Sequence, residues 1–472
     1  MKSFAPFVLA VALFAASPAP AQQPALQQRV AAELAEAPVG TRFGLVVVTE
    51  DGRELVAINP DGRFIPASNT KLLTTAAAFA TMTDLDRPDE AGGAEVRLIG
   101  RDVILTGRGD ARLSSAPDCL ENCLAALADA VAARTRRVRN IVGDDSLFPD
   151  ERWGLGVSWE DLQTRYGTAM SALTLDDNLL AIRVSPGAVG RSPVVDLMPY
   201  FEVRNGAITV AEGEGRLRYQ RLPGSRIVHL SGTIGPDTPV ATLRLGIDDP
   251  AHYAAWRLGE LLKARGVRVT GRIETRHRVS GAAPAAGSPE QAPALARLVP
   301  PPITQDLARI NKESQNLHAD LMLRRIGRVR GTGTIGDGIS EIGTMLEWAG
   351  APRLAWDLSD GSGMSVYNRL SPRSVVALLR WGAAQSWGPA WRATFPVAGV
   401  DGTLGRRFRG TPLEGRLFAK TGTLNGTNAL SGYLTARSGR LLAFSFFAND
   451  VPGGGGVTAK MDEVLNMIAA EN

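Results

Sequence analysis

The sequence predicts an α/β (α+β) chain of several domains, in which an antiparallel sheet flanked by helices is interrupted by a large, mostly β insertion. Two observations carry this. A helix and two strand-like runs near one end are mirrored by three strand-like runs and a helix at the other, as if both ends built one sheet. Between them, from about Gly92 to Arg278, the chain becomes a series of short strand-like runs broken by glycines and turns. At 472 residues it exceeds the usual size of one domain. We therefore expect a first part of the core over 22–90, an insertion of two units over 91–285, and the rest of the core over 286–472.

The elements follow in order. Lys2, an apolar run from Phe4 to Ala16 and Ala19-Pro20-Ala21 have the layout of an export leader, with residues 1–21 removed. The run is short for a bilayer span, and no later segment is apolar and long enough for one, so no membrane anchor is expected after cleavage. Leu26, Val30 and Leu34 recur at helical spacing. Arg42 to Thr49 and Glu54 to Asn59 read as strands joined by Asp51-Gly52. Lys71 to Ala80 reads as a helix, with Ser68 at or near its start. In the insertion, Asn205-Gly206 within Phe201 to Val210 suggests a two-residue hairpin. Ser280 to Pro302, rich in Pro, Ala and Gly, suggests a linker. Leu417 to Thr423, Ala429 to Ala436 and Arg440 to Phe447 read as strands. Met461, Val464, Leu465 and Ile468 form the apolar stripe of a last helix.

Composition narrows the function. Net charge is only +4, and no basic run is interleaved with aromatics, which leaves nucleic acid without support as a partner. The four histidines are scattered without zinc-type spacing, so neither metal nor any other cofactor is expected. Cys119 and Cys123, the only cysteines, could approach at helical spacing closely enough for a local disulfide. Gly331-Thr332-Gly333-Thr334-Ile335-Gly336 matches a dinucleotide fingerprint, but it follows a helical stretch rather than a strand. It reads as a loop before a helix at Ile339 to Trp348.

Three short motifs carry the chemistry: Ser68-Asn69-Thr70-Lys71, Ser314-Gln315-Asn316 and Lys420-Thr421-Gly422-Thr423. They supply a hydroxyl with an amine one turn away, a second hydroxyl with a carboxamide, and a cation on a strand. Such a set suits acyl transfer through a serine ester. The chain has six lysines among 52 basic residues, and two of the six stand in these motifs. A buried lysine can act as a base near neutral pH, whereas arginine cannot give up its proton. Taken singly, each motif could be a helix cap, a loop hydrogen bond or an edge-strand charge. A histidine triad is not in evidence, and His318 reads as a core or surface residue.

With these residues in place, the chain resembles the class C low-molecular-mass penicillin-binding proteins, the D-alanyl-D-alanine carboxypeptidase/endopeptidases. The likeness includes the three motifs, Ile141 to Phe148, Ser171-Ala172-Leu173, Asn311 to Leu317, Asp360-Gly361-Ser362-Gly363-Met364-Ser365 and Pro396 to Leu404. It implies a penicilloyl-serine transferase (β-lactamase-like) core and peptidoglycan stem peptides and β-lactams as partners. It also implies Ser68 as nucleophile, Lys71 as its base, Ser314 as proton donor to the leaving amine and Asn316 as a holder of the substrate amide. Lys420, Thr421 and Thr423 would bind the terminal carboxylate, with Gly422 and Leu424 beside them. Trp159 to Leu162 with Tyr166 resembles the segment lining a stem-peptide pocket, where Asp161 would meet an amine and Tyr166 the methylenes. Departures fall in the insertion, at Arg108, Ala111, Arg112 and Ala169. The alternatives on these residues are a β-lactamase or serine esterase on the same fold, and a non-catalytic peptidoglycan-binding envelope module.

Overall fold

The computed structural model describes residues 22–472 except 214, 280, 282–291 and 454. The leader and most of the expected linker lie outside the described residues. The central sheet has five antiparallel strands in the order Leu417–Leu424, Thr427–Thr435, Leu441–Asn449, Arg42–Thr49, Glu54–Ile58. Helices cover both of its faces, which explains the unbroken apolar run Leu45-Val46-Val47-Val48. Successive side chains of a strand point to opposite faces. Leu45 and Val47 pack with Leu26, Val30 and Leu34 of the helix Gln22–Ala35 and with Met461, Val464, Leu465 and Ile468 of the helix Val457–Glu471. Val46 and Val48 face the opposite layer, built from the helices Thr70–Thr81, Ile303–Lys312, Asn316–Gly327, Ile335–Trp348 and Pro372–Ala383.

The intervening chain has its own core. A mixed sheet runs in the order Ile273–Arg278, Ile141–Pro149, Asp102–Gly107, Ala94–Ile99, Ala296–Arg297. The last strand draws on chain beyond the expected break at 285. Two helices, Leu124–Arg134 and Pro250–Ala264, supply Leu127, Val131, Leu258 and Leu262 to the same core, so the segment is less purely β than its sequence suggests.

Three local expectations are corrected. Glu202–Asn205 and Ile208–Thr209 do not form a hairpin, because both pair in parallel with Ile227–Ile234. A longer partner strand captures both, and Asn205 Oδ1 instead accepts from the Ala207 N–H at 3.1 Å. Cys119 and Cys123 are disulfide-bonded with Cα atoms 5.8 Å apart, but not within a helix. Cys123 caps Leu124–Arg134 in an extended conformation, and Cys119 lies in the preceding turn. The glycine-rich fingerprint leads from a loop into a helix, as expected, but that helix begins at Ile335 rather than Ile339. There Thr334 and Asp337 form a reciprocal cap, and Asp337 Oδ2 also accepts from the Thr332 and Thr334 N–H groups.

Arginines fasten the two parts together. Arg324 is buried and donates to the carbonyls of Pro149 at 2.6 Å and Glu151 at 2.7 Å, and Arg278 of the insertion donates to the Thr332 carbonyl at 2.7 Å. Charged donors replace the water that these carbonyls lose on burial. No described helix is long and apolar enough to cross a membrane.

Candidate active site

Ser68 sits in a tight turn, Ala67–Asn69, that runs directly into the helix Thr70–Thr81. Three contacts fix this turn. Asn449 grips the Ile65 backbone at both its N–H, 2.7 Å, and its carbonyl, 3.1 Å. Asn69 Nδ2 donates to the Lys420 carbonyl at 2.8 Å, tying the turn to the strand Leu417–Leu424. Ala67 adopts φ +46°, a left-handed conformation that a residue with a Cβ adopts at a cost. Gly363 helps hold it there, since a Cβ at that position would lie 1.9 Å from the Ala67 carbonyl oxygen. Gly422 has the same kind of reason: a Cβ there would lie 2.8 Å from the Pro66 carbonyl and 3.1 Å from the Ser68 nitrogen. Only glycine lets the strand come so close to the Ser68 backbone.

Lys71 is wholly buried, and its Nζ has three neighbours: Ser68 Oγ at 2.9 Å, Asn316 Oδ1 at 2.6 Å and the Ser362 carbonyl at 2.6 Å. Two of these can only accept. A neutral amine has two N–H bonds and one lone pair. Spending the two N–H bonds on Asn316 and Ser362 aims the lone pair at the Ser68 hydroxyl. Burial pushes the Lys71 pKa down to about 8, against the pull of the Asp320 and Asp360 carboxylates, which favours the charged form.

Ser314 lies between the helices Ile303–Lys312 and Asn316–Gly327 and is held at φ +60°. Its Oγ accepts from Lys420 Nζ at 2.9 Å, and the same amine reaches the Thr421 carbonyl at 2.9 Å. Burial, reinforced by the nearby Lys71 amine, depresses the Lys420 pKa strongly. Two hydroxyl–amine pairs thus share one site.

These groups open onto a cleft of about 810 Å³. Ser68, Ser314, Asn316, Thr421, Gly422, Thr423 and Leu424 line it, as do Asp161 and Tyr166 from the insertion. The structure therefore brings every candidate residue to one place, with Lys71 and Lys420 buried just beneath the surface. Tyr166 also contributes its backbone, whose carbonyl accepts from Asn316 Nδ2 at 3.0 Å. Burial, together with the adjacent Glu160, raises the Asp161 pKa.

The match to known proteins can be read on this geometry. The model of the D-Ala-D-Ala carboxypeptidase 3 (S13) family matches residues 26–469. The chain belongs to that family. It is a serine-type peptidase, a hydrolase of the penicillin-binding group. A D-alanyl-D-alanine carboxypeptidase of an Actinomadura species is 34% identical over 443 residues, covering 88% of this chain and 79% of the relative. The carboxypeptidase DacB of Haemophilus influenzae is 25% identical, with 87% and 86% covered. The crystal structure of penicillin binding protein 4 from Haemophilus influenzae superposes with a TM-score of 0.80 at 21% identity, over 93% of this chain and 98% of that one. The α/β fold with an antiparallel sheet flanked by helices, shared with that structure, is the fold that the sequence predicts.

Several residues at the site lie outside the three motifs and were not assigned roles from sequence. Asp360 holds the loop that carries Ser362, accepting from the N–H groups of Gly363 at 2.8 Å and Ser365 at 2.6 Å and from Asn368 Nδ2 at 2.6 Å. Asp320, one turn after Asn316, accepts from the Gly361 N–H at 2.8 Å. Their signal is the density of Asp, Ser and Gly in 360–365, a pattern that also marks ordinary turns.

Proposed function

We propose that Ser68 is the nucleophile of a D-alanyl-D-alanine carboxypeptidase acting on peptidoglycan stem peptides, and that β-lactams acylate it. The observation that carries this is the Lys71 amine, buried with a lowered pKa and 2.9 Å from Ser68 Oγ. Ser68 Oγ attacks the carbonyl of the penultimate D-alanine while its proton passes to Lys71. Ser314, hydrogen-bonded to Lys420, hands a proton to the leaving D-alanine amine as the C–N bond breaks, and the proton that Lys71 took from Ser68 passes back to Ser314. Water then cleaves the Ser68 ester, releasing the shortened peptide and restoring the hydroxyl.

The proximity of Gly422 to the Ser68 nitrogen supports an oxyanion hole formed by the N–H groups of Ser68 and Thr423. Lys420, Thr421 and Thr423 bind the terminal carboxylate, with Gly422 and Leu424 shaping that end. Asn316 holds the substrate amide. On the acyl side, Asp161 pairs with the side-chain ammonium of the third stem residue, such as meso-diaminopimelate, and Tyr166 covers its methylenes. If the leaving amine belongs to a neighbouring stem peptide, the same steps cut a cross-link, which makes the protein a D,D-endopeptidase as well. The leader-like residues 1–21 support export to the periplasm, with segment 91–285 inserted in the catalytic domain. Release of D-alanine from a pentapeptide ending in D-alanyl-D-alanine, measured in wild type and Ser68→Ala, tests the reading. Equal release from both would refute it.

A further inference from the structure

The wall that the insertion gives to the cleft holds charges that do not cancel. Arg165 and Arg244 line the cleft together with Ser68 and Asp161, and both are exposed. Thr164 bridges Leu245 in antiparallel sense, and the Gly246 N–H donates to the Gln163 carbonyl at 2.9 Å. Arg165 follows and Arg244 precedes this antiparallel bridge, so the two residues leave it on the same side and their backbones lie close. Like charges held near one another repel. Nothing among the described residues relieves this pair. The Arg165 guanidinium lies over the Tyr166 ring, 4.8 Å from its centroid. The Arg244 side chain has no hydrogen-bond or ion-pair partner among the described residues, and its backbone carbonyl accepts from Tyr219 Oη at 3.2 Å. Asp161, four residues before Arg165, makes no ion pair with either arginine among the described residues.

Arg309, the other arginine of the cleft, shows what a structural cation looks like here. It is held by Asp177 at 2.7 Å and Glu313 at 3.2 Å. The contrast separates a cation that braces the wall from two that face the open cleft.

We propose that Arg165 and Arg244 form a carboxylate-binding subsite on the acyl side of the scissile bond, apart from the end of the cleft that takes the terminal carboxylate. This rests on the reading of the cleft as a stem-peptide site. Two adjacent guanidiniums offer forked donors matched to the two oxygens of a carboxylate, and an anion between them relieves their repulsion. Stacking on Tyr166 restrains Arg165, so less freedom is lost on binding. Two carboxylates of a stem peptide present this chemistry: one on the side chain of the third residue, the other on the second residue when that residue is γ-linked.

The test uses four soluble peptides ending in D-alanyl-D-alanine, with both of these carboxylates free, either one amidated, or both amidated. D-alanine release is followed with the full chain as wild type, Arg165→Gln and Arg244→Gln, alongside acylation by a penicillin that lacks both groups. In wild type, amidating the recognised carboxylate lowers kcat/KM by about tenfold. Each variant loses a similar factor on the free acid and little more on that amide, while penicillin acylation is unchanged. Which amide matters identifies the source. The subsite is refuted if wild type treats all four peptides alike, or if the variants slow free and amidated peptides equally. No D-alanine release by wild type from any peptide would instead sink the carboxypeptidase reading, and the subsite with it.

Discussion

His318 Nε2 and Asp177 Oδ1 lie 2.9 Å apart, joining a helix of the core to a turn of the insertion. The other ring nitrogen, Nδ1, meets Asp306, so an imidazole with no solvent exposure sits between two carboxylates. Carboxylates only accept, so both ring nitrogens donate and the ring is an imidazolium. Arg309 and Gln315 also reach Asp177, at 2.7 and 3.4 Å. The insertion is thereby fixed to the loop that carries Ser314.

Replacing His318 should therefore loosen the two parts together. Burial opposes its charge, but Asp306 and Asp177 outweigh burial and lift its pKa to about 9, from 6.5 when unfolded. A raised pKa means stability that is complete below about 6.5 and is lost as pH rises through about 9. His318→Gln leaves the buried Asp306 carboxylate without the cation it touches, while the partly exposed Asp177 keeps Arg309, and we expect a loss of about 3 kcal/mol near pH 6. Chemical denaturation across pH 6 to 10 checks this. The gap between variant and wild type should narrow toward the alkaline end, and a constant gap would contradict the ion-pair account.

Lys71 and Lys420 should respond differently to the same change. Lys71→Arg keeps a charge but removes the titratable amine, so acylation by penicillin should fall by about a hundredfold or more. Lys420→Arg should be milder, because a carboxylate-binding cation tolerates arginine better. In wild type the acylation rate should rise with pH, pass half its maximum at about 8 and level off above that, as Lys71 loses its proton. Equal tolerance at both positions, with a flat profile over that range, would reduce Lys71 to a fixed charge.

Asp161 gives a prediction about substrate. Asp161→Ala should slow turnover of diaminopimelate-bearing peptides by about tenfold, while acylation by simple penicillins changes little. Comparing the two rates in one variant decides it. Parallel losses would point to a disturbed fold, and no loss on either would remove Asp161 from the site.

Much of the core was legible in the sequence because its signals are local. Leu26, Val30 and Leu34 mark their helix by spacing alone, and the terminal strands are apolar because helices cover both faces. The three motifs stand out because a buried lysine beside a serine has few structural uses. What could not be read depends on partners distant in the chain. Asn205-Gly206 has the residues of a hairpin turn, but Ile227–Ile234 captures the segments on both sides. The burial of His318 depends on Asp177, 141 residues away. Ser362 acts through a backbone carbonyl, which side-chain identity does not reveal.

Covalent labelling tests the central claim, that Ser68 is the acylated nucleophile, most directly. The full chain is incubated with penicillin, its intact mass is measured, and the labelled peptide is sequenced by tandem mass spectrometry. Wild type should gain the mass of one penicilloyl group, located on Ser68, and Ser68→Ala should gain none. A penicilloyl group that persists in Ser68→Ala, or that maps to another residue in wild type, would contradict the account.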